Sequence, residues 1–247
     1  MNQLTLPFTV LGIVLTAPVP ATMILSPDED VMASSFFFAP NSVRGYAGEG
    51  RTVFRVSTDD PFGTTGAETI YLSFQSADLS SYSGPINQAL LTVTSVDGGF
   101  NANASATTPF KVSAHALNAN PITSITDDTN LGGTTDWLTF YNTNILASAP
   151  EAFVDVNSFG AVKIDVTSIV NDWISGDNSE RFIALTGKND LSGNEFLHGF
   201  LNNSETPGSS FLVIDPIPEP SMGVFVLLAT SWIGLRRRRL LVPTTSL

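Results

Sequence analysis

Cysteine is absent from the 247 residues, and histidine nearly so, with His115 and His198 the only two. The first absence excludes disulfides, thiol catalysis and Cys-ligated metals, and it leaves packing and ions to hold the fold. The second leaves too few imidazoles for an ordinary zinc centre. A Ser-His-Asp site is compatible with the composition, but no nucleophile elbow or other local motif accompanies either His. Cations are scarce as well. Of the 11 Lys and Arg, four are Arg236, Arg237, Arg238 and Arg239, so the region 22–217 holds seven against 22 acids, a net charge of −15. A body so acidic repels nucleic acid and anionic lipid, and it suits divalent cations, cationic ligands or plain solubility. The adjacent acids Asp59-Asp60 and Asp127-Asp128 could in principle run glycoside hydrolysis. They lie in turn-like polar stretches, where Asp is favoured for backbone reasons. Apolar runs of the ~20 residues that span a bilayer are missing, and so is any ten-residue linker that would divide the body.

What the chain does have, from about Asp28 to Asp215, is alternation. Apolar and polar residues take turns in short runs, separated by stretches rich in Gly, Asn, Ser, Thr and Asp. Nine segments follow this period of two: 52–57, 69–74, 89–96, 110–117, 152–156, 162–166, 182–186, 196–200 and 210–214. The period predicts half-buried strands. So many short strands with turn-rich connections are accommodated most economically as two antiparallel sheets packed face to face. One segment breaks the period. In 167–176, Ile169, Val170, Trp173 and Ile174 share one helical face, Thr167 can cap the start and Gly176 can end it. The spacing predicts a short helix over about 167–175 that plugs one end of the sandwich with Trp173 buried.

This helix and its flanks also carry a resemblance. Val162-Lys-Ile-Asp-Val-Thr leads into it, Arg181-Phe-Ile-Ala-Leu185 follows it, and then come Phe196, Asn202-Asn-Ser-Glu205, Pro207 and Phe211-Leu-Val-Ile214. The order resembles the C-terminal half of DNRLRE-type β-sandwich domains, which are related to a carbohydrate-binding module family. Asp30, the strand Gln88–Val93 and Trp137 fall in the expected order in the N-terminal half. Arg181-Phe182 stands where that family usually has Asn-Gly, and Asn-Asn-Ser-Glu replaces its Ser-Arg-Glu. The resemblance implies an all-β, two-sheet antiparallel jelly roll over 22–215 that binds polysaccharide or builds surface structure without catalysis. Modules of this kind often hold a structural calcium where their ends meet. Asp28 and Asp30, which open the domain, and Asp215, which closes it, are the residues for such an ion; Asp190–Glu195 offers further oxygens around a Gly, without EF-hand spacing. The plainer alternative is that these are solvated turn acids. Sugar-stacking aromatics would come from Tyr46, Tyr82, Trp137 or Tyr141, with Phe36-Phe-Phe38 as a further run, or the same rings pack the sandwich edge.

The two ends read as addresses. Residues 1–21 have an apolar run from Leu4 to Leu15 and small residues at Val19-Pro-Ala21, as in a secretory signal cleaved after Ala21, although no Lys or Arg precedes the run. At 216–240 the order is Pro218-Glu219-Pro220, an apolar run from Met222 to Leu235, and then Arg236 to Arg239, with 241–247 left as a short tail. The apolar run has 14 residues, about 21 Å of helix against a bilayer core of about 30 Å. As a C-terminal hydrophobic helix it suits a transient anchor with its Arg cluster on the cytoplasmic side. The three-part order resembles the PEP-CTERM sorting signal, which implies export and recognition by an exosortase, a membrane transpeptidase. The expectation is an exported surface or extracellular-matrix protein that passes through an inner-membrane intermediate. It would act as a non-enzymatic structural or polysaccharide-binding module in exopolysaccharide. The rival is a secreted polysaccharide hydrolase or lyase.

Overall fold

The computed structural model describes residues 21–34, 53–56, 68–96, 109–125, 135–188, 198–203 and 205–217. These lie in one compact unit, Pro20–Ile217. The expected C-terminal helix, the sorting motif and most of the signal segment lie outside them.

Eleven strands are described: β1 Met23–Leu25, β2 Glu29–Ser34, β3 Val53–Val56, β4 Glu68–Ser73, β5 Ile86–Val96, β6 Phe110–Ala116, β7 Ala152–Val156, β8 Gly160–Asp165, β9 Phe182–Lys188, β10 His198–Leu201 and β11 Ser210–Pro216. Each of the nine alternating segments contains or overlaps a strand. The sequence reading missed β1 and β2, and it took Asp30, which lies within β2 opposite Leu72, for part of the domain's opening stretch. Three helices join them: α1 Pro121–Ser124, α2 Thr135–Asn144 and α3 Thr167–Ser175. Neither α1 nor α2 follows from the alternation, and no helix among the described residues is long and apolar enough to cross a membrane.

Every strand pairing is antiparallel. Sheet A contains β1-β11-β5, with β8 on the far side of β5; sheet B runs β2-β4-β9-β6-β7. Without β2, β3 and β10, the eight remaining strands counted in chain order give the sheets 1-8-3-6 and 2-7-4-5. That nesting of first with last and second with seventh is the jelly roll expected from the sequence. β10 and β11 lie end to end along one edge of β5: Phe200 pairs with Ser95 and Ser210 with Val93. The residues between them loop out of the ladder, and Asp30 of sheet B accepts the Asn203 N–H of that loop.

The sheets enclose a core of Met32, Ile70, Leu72, Leu91, Val93, Val112, Ile183, Leu185, Leu212 and Ile214 with their neighbours. Helix α3 closes one end of it through Ile169, Val170 and Trp173, and the Trp173 ring lies 6.0 Å from Phe74. The end signal at Gly176 is as expected, with φ of 82°. The start differs. Val166 occupies the N-cap position, and Asp165 Oδ1 takes the Thr167 N–H at 3.1 Å. The Thr167 hydroxyl instead accepts the Ala89 N–H at 2.9 Å, tying the helix to β5.

Sheet B is buried on its outer face too. Val31, Tyr71, Phe182 and Ala184 project away from sheet A and pack under Leu117, Ile125, Phe140, Tyr141 and Ile145, which lie on or beside α1 and α2. Its central strands β4 and β9 are therefore buried on both faces, with no exposed position in 69–74 or 182–187, whereas Phe153 on the edge strand β7 is 64% exposed. The outer face of sheet A, where Ile24 is 68% exposed, has no helical cover among the described residues.

Candidate functional site

Where the helical cover over sheet B ends, the outer face forms a hollow. Ser113 and Thr186 are cross-strand partners on β6 and β9, and His115, two residues from Ser113, faces the same way. The segment 145–150, just past α2, arches over them. Ile145, Leu146 and Pro150 supply an apolar wall, and the enclosed volume is about 220 Å³. His115 is 5% exposed. Its Nε2 lies 3.1 Å from Thr186 Oγ1, one donating and the other accepting according to the tautomer. Nδ1 has no partner among the described residues. Burial pushes the imidazole down to about 4, because the cation would lose its hydration there, so the ring is neutral at pH 7.

Two further hollows continue from this one. The second, of about 370 Å³, shares Ser148 with the first. Asn118, Asn144, Asn178, Glu151, Asp172 and Asp177 line it. The fold holds several of these in place. Glu151 Oε2 accepts the Ala116 N–H at 2.9 Å at the end of β6, and Asn178 Nδ2 donates to the Leu117 carbonyl at 3.0 Å. Asn144 Nδ2 donates back to the Phe140 carbonyl of its own helix at 3.0 Å. The third hollow, also about 370 Å³, shares Asp172 and Asp177 with the second. It runs on to Asn171, Ser175 and the Ser83–Pro85 turn. The three form a continuous run from the outer face of sheet B around the end closed by α3. Its walls combine carboxylates, carboxamides and hydroxyls with the apolar Ile145, Leu146, Pro150, Pro85 and Ile174, and no Lys or Arg lines it among the described residues. Chemically it offers acceptors and donors at short intervals, suited to a ligand rich in hydroxyl groups.

The residues proposed from sequence go elsewhere. Asp28 accepts from the Ser76 N–H at 2.7 Å and from the Ser76 hydroxyl, Asp30 from the Asn203 N–H, and Asp215 from the Thr22 hydroxyl at 2.8 Å. Each carboxylate thus has its own protein donor. Among the described residues no three His, Asp or Glu side chains converge as a metal site would require. Ala21 is described, and its carbonyl accepts from the Tyr82 hydroxyl at 3.2 Å. Pro218, Glu219, Pro220 and Arg236 to Arg239 lie outside the described residues, as do Tyr46, 36–38, 59–60, 127–128 and 190–195. Trp137 falls on α2 and His198 on β10, with side chains outside the description.

Two of the candidate aromatics take the packing alternative. Tyr82 and Tyr141 are 6% and 0% exposed, so neither can stack on a sugar. Tyr141 belongs to α2 and packs in the outer cluster, where burial and then Tyr141 itself raise the neighbouring Tyr71 phenol. The Asn, Asp and Ser residues of the run escaped the sequence reading because they come from five separated segments and share no spacing. His115 was visible only as a polar residue in phase with Ser113. Compared with protein families and with curated proteins, the chain finds no match in either.

Proposed function

We propose that this is an exported surface or extracellular-matrix protein whose jelly roll binds a polysaccharide without altering it. The carrying observation is the run of three hollows that share walls at Ser148 and at Asp172 and Asp177. A run of adjoining subsites that pair hydroxyl, carboxamide and carboxylate groups with apolar walls suits a chain of repeating sugar units better than a single compact ligand. Sequence features support the rest of the reading. The PEP-CTERM-like order of Pro218-Glu219-Pro220, apolar run and Arg cluster, with the N-terminal apolar segment ending at Ala21, favours export. It also favours handling by an exosortase-type transpeptidase at the inner membrane. The net charge of −15 over 22–217 argues against nucleic acid as a partner.

The test is binding of the full chain to purified neutral and charged exopolysaccharides by isothermal titration calorimetry, with Asp177→Ala and Asn144→Ala as groove variants. Binding weakened by both variants is expected; absence of binding to any polysaccharide would sink the reading. Mass spectrometry of the surface fraction tests the sorting part, with loss of 221–247 expected. One observation favours the rival hydrolase: Glu151, Asp172 and Asp177 all line the second hollow, and glycoside hydrolysis needs a pair of carboxylates. Release of new reducing ends in the same mixtures would establish it.

A further inference from the structure

The two ends of the body meet at one corner of sheet A. β1 pairs with β11 from Met23↔Ile214 to Leu25↔Leu212, so the residue before Met23 stands opposite Asp215. That residue is Thr22, and its hydroxyl donates to Asp215 Oδ1 at 2.8 Å. Tyr82, from the connection between β4 and β5, closes the corner from below. Its hydroxyl lies 3.2 Å from the Ala21 carbonyl and 3.4 Å from that of Ile214. Burial first, and then the Asp215 carboxylate, raise the Tyr82 phenol, so the charge of Asp215 is felt at the same spot. Neither cross-strand neighbour of Asp215 carries a charge: Gln88 stands beside it on β5 and Thr22 before β1. A hydroxyl holds a carboxylate less strongly than a cation does. In the region 22–217, seven cations serve 22 acids.

One more cation is latent in the chain at this corner. Cleavage after Ala21 adds water across the Ala21–Thr22 peptide bond. The hydroxyl goes to the Ala21 carbonyl carbon, the proton goes to the Thr22 nitrogen, and the nitrogen leaves as an α-amine. Such an amine titrates near about 7.7 and is mostly charged at pH 7. Only three covalent bonds, N–Cα, Cα–Cβ and Cβ–Oγ1, separate it from the hydroxyl already seated on Asp215. The peptide plane that fixed its direction is gone after cleavage. Rotation about the Thr22 Cα–C bond then swings the ammonium onto the carboxylate.

We propose that Asp215 is the receiving site for the chain's own processed amino terminus, pairing with the Thr22 ammonium once the bond after Ala21 is cut. The pair pins the open end of a three-residue strand to the last strand of the body, and the uncut chain, whose Thr22 nitrogen is a neutral amide, cannot form it. This rests on the reading of residues 1–21 as a cleaved signal and on no part of the polysaccharide reading.

The test compares the exported chain, recovered after processing, with the uncut full chain made without export, each also as Asp215→Asn and Thr22→Val. Acylation of the α-amine at a series of pH values, read by mass spectrometry, gives its titration. In the processed wild type and in Thr22→Val the amine should titrate above about 7.7, because the carboxylate favours its charged form, and Asp215→Asn should return it to that value. Melting at pH 7 gives the second readout. Asp215→Asn should lower the melting temperature of the processed chain by about 2 °C and leave the uncut chain nearly unchanged, since Asn still accepts the Thr22 hydroxyl. An amine raised on folding stabilises below its unfolded value and stops doing so as the pH passes its folded one. The 2 °C difference should therefore fade between about pH 8 and 10. Asp215 and Tyr82 are the titratable groups facing the amine, and the raised Tyr82 phenol stays neutral through that window. An amine that titrates alike in Asp215→Asn, or an equal loss of stability in cut and uncut chains, overturns the pair and leaves export standing. An exported chain that begins at any residue other than Thr22 overturns the pair together with the cleavage reading, and leaves the groove as it was.

Discussion

The two faces of sheet B are made from the same strands and do opposite things. On the inner face, Ile70, Leu72, Val112, Ala114, Ile183 and Leu185 meet the aliphatic side chains of sheet A. On the outer face, Val31, Tyr71, Phe182 and Ala184 pack under helices, and then Ser113, His115 and Thr186 line a hollow. Both faces are buried along β4 and β9, so burial does not separate them there. Chemistry does: of the buried polar residues of sheet B, Thr69, Ser73, Ser113, His115 and Thr186 belong to the outer face, against Asp30 on the inner side. The inner face supplies cohesion through close packing, whereas the outer face has given up packing for space and hydrogen-bonding capacity. The same strand can do both because successive residues point to opposite sides.

The largest effect that would break this contrast is a truncation on each side. Leu185→Ala opens a hole in a filled core and should cost about 4 kcal/mol, whereas Ile145→Ala enlarges a hollow that already exists and should cost about 2 kcal/mol. Urea melts of the two variants measure the difference, and equal costs would mean that the faces are packed alike.

Acid sharpens the contrast next. The folded His115 titrates at about 4 and an unfolded His near 6.5. Between those values the unfolded chain binds a proton that the folded one refuses. Stability is therefore full above about pH 6.5, falls as the pH drops through that window, and is lost by about 3 kcal/mol below pH 4. Melts across pH 4 to 7 should show that slope, and His115→Gln should flatten it by the same amount. A slope unchanged in the variant would place its origin elsewhere.

Thr186→Val comes third. It is isosteric but strips His115 Nε2 of its partner, and should cost about 2 kcal/mol by denaturation, with no comparable penalty for the inner-face swap Ile183→Val beyond about 1 kcal/mol. The smallest effect concerns the ends of the domain. Asp28, Asp30 and Asp215 already have separate protein donors, so calcium and a chelator should leave the melting temperature within about 1 °C of each other, less than 1 kcal/mol of stability. A larger rise with calcium would restore an ion site with ligands from outside the described residues.

The strands were legible because alternation survives in the sequence whatever covers the face. What alternation did not report was the cover itself. Ser113 and His115 read as solvent-side residues of a half-buried strand, yet the segment 145–150 lies over them. The helix leading into it was hard to read as one: α2 is Thr-Asp-Trp-Leu-Thr-Phe-Tyr-Asn-Thr-Asn, rich in residues that favour caps and turns, and tertiary packing of Phe140, Tyr141 and Ile145 overrides their preference. β1 is three residues long and β2 opens with two acids, so neither showed a period. Helix α3 was read correctly because its apolar face and its Gly are local signals. The candidate site was illegible for the opposite reason, being assembled from residues that only the jelly-roll topology brings together.

The pairing of the first strand with the last has a consequence for timing. Thr22 and Asp215 are hydrogen-bonded across 193 residues of chain, and β1 finds its only described partner in β11. Contacts so distant in sequence are slow to form, because the intervening loop must be closed first. While a chain is being made in sequence order, β5 emerges early and waits with one edge bare until Ser210–Pro216 arrives. The protein therefore cannot complete this sheet until the last described strand has been made. It folds late, as a finished length, and until that moment it depends on remaining unpaired without finding the edge of another copy.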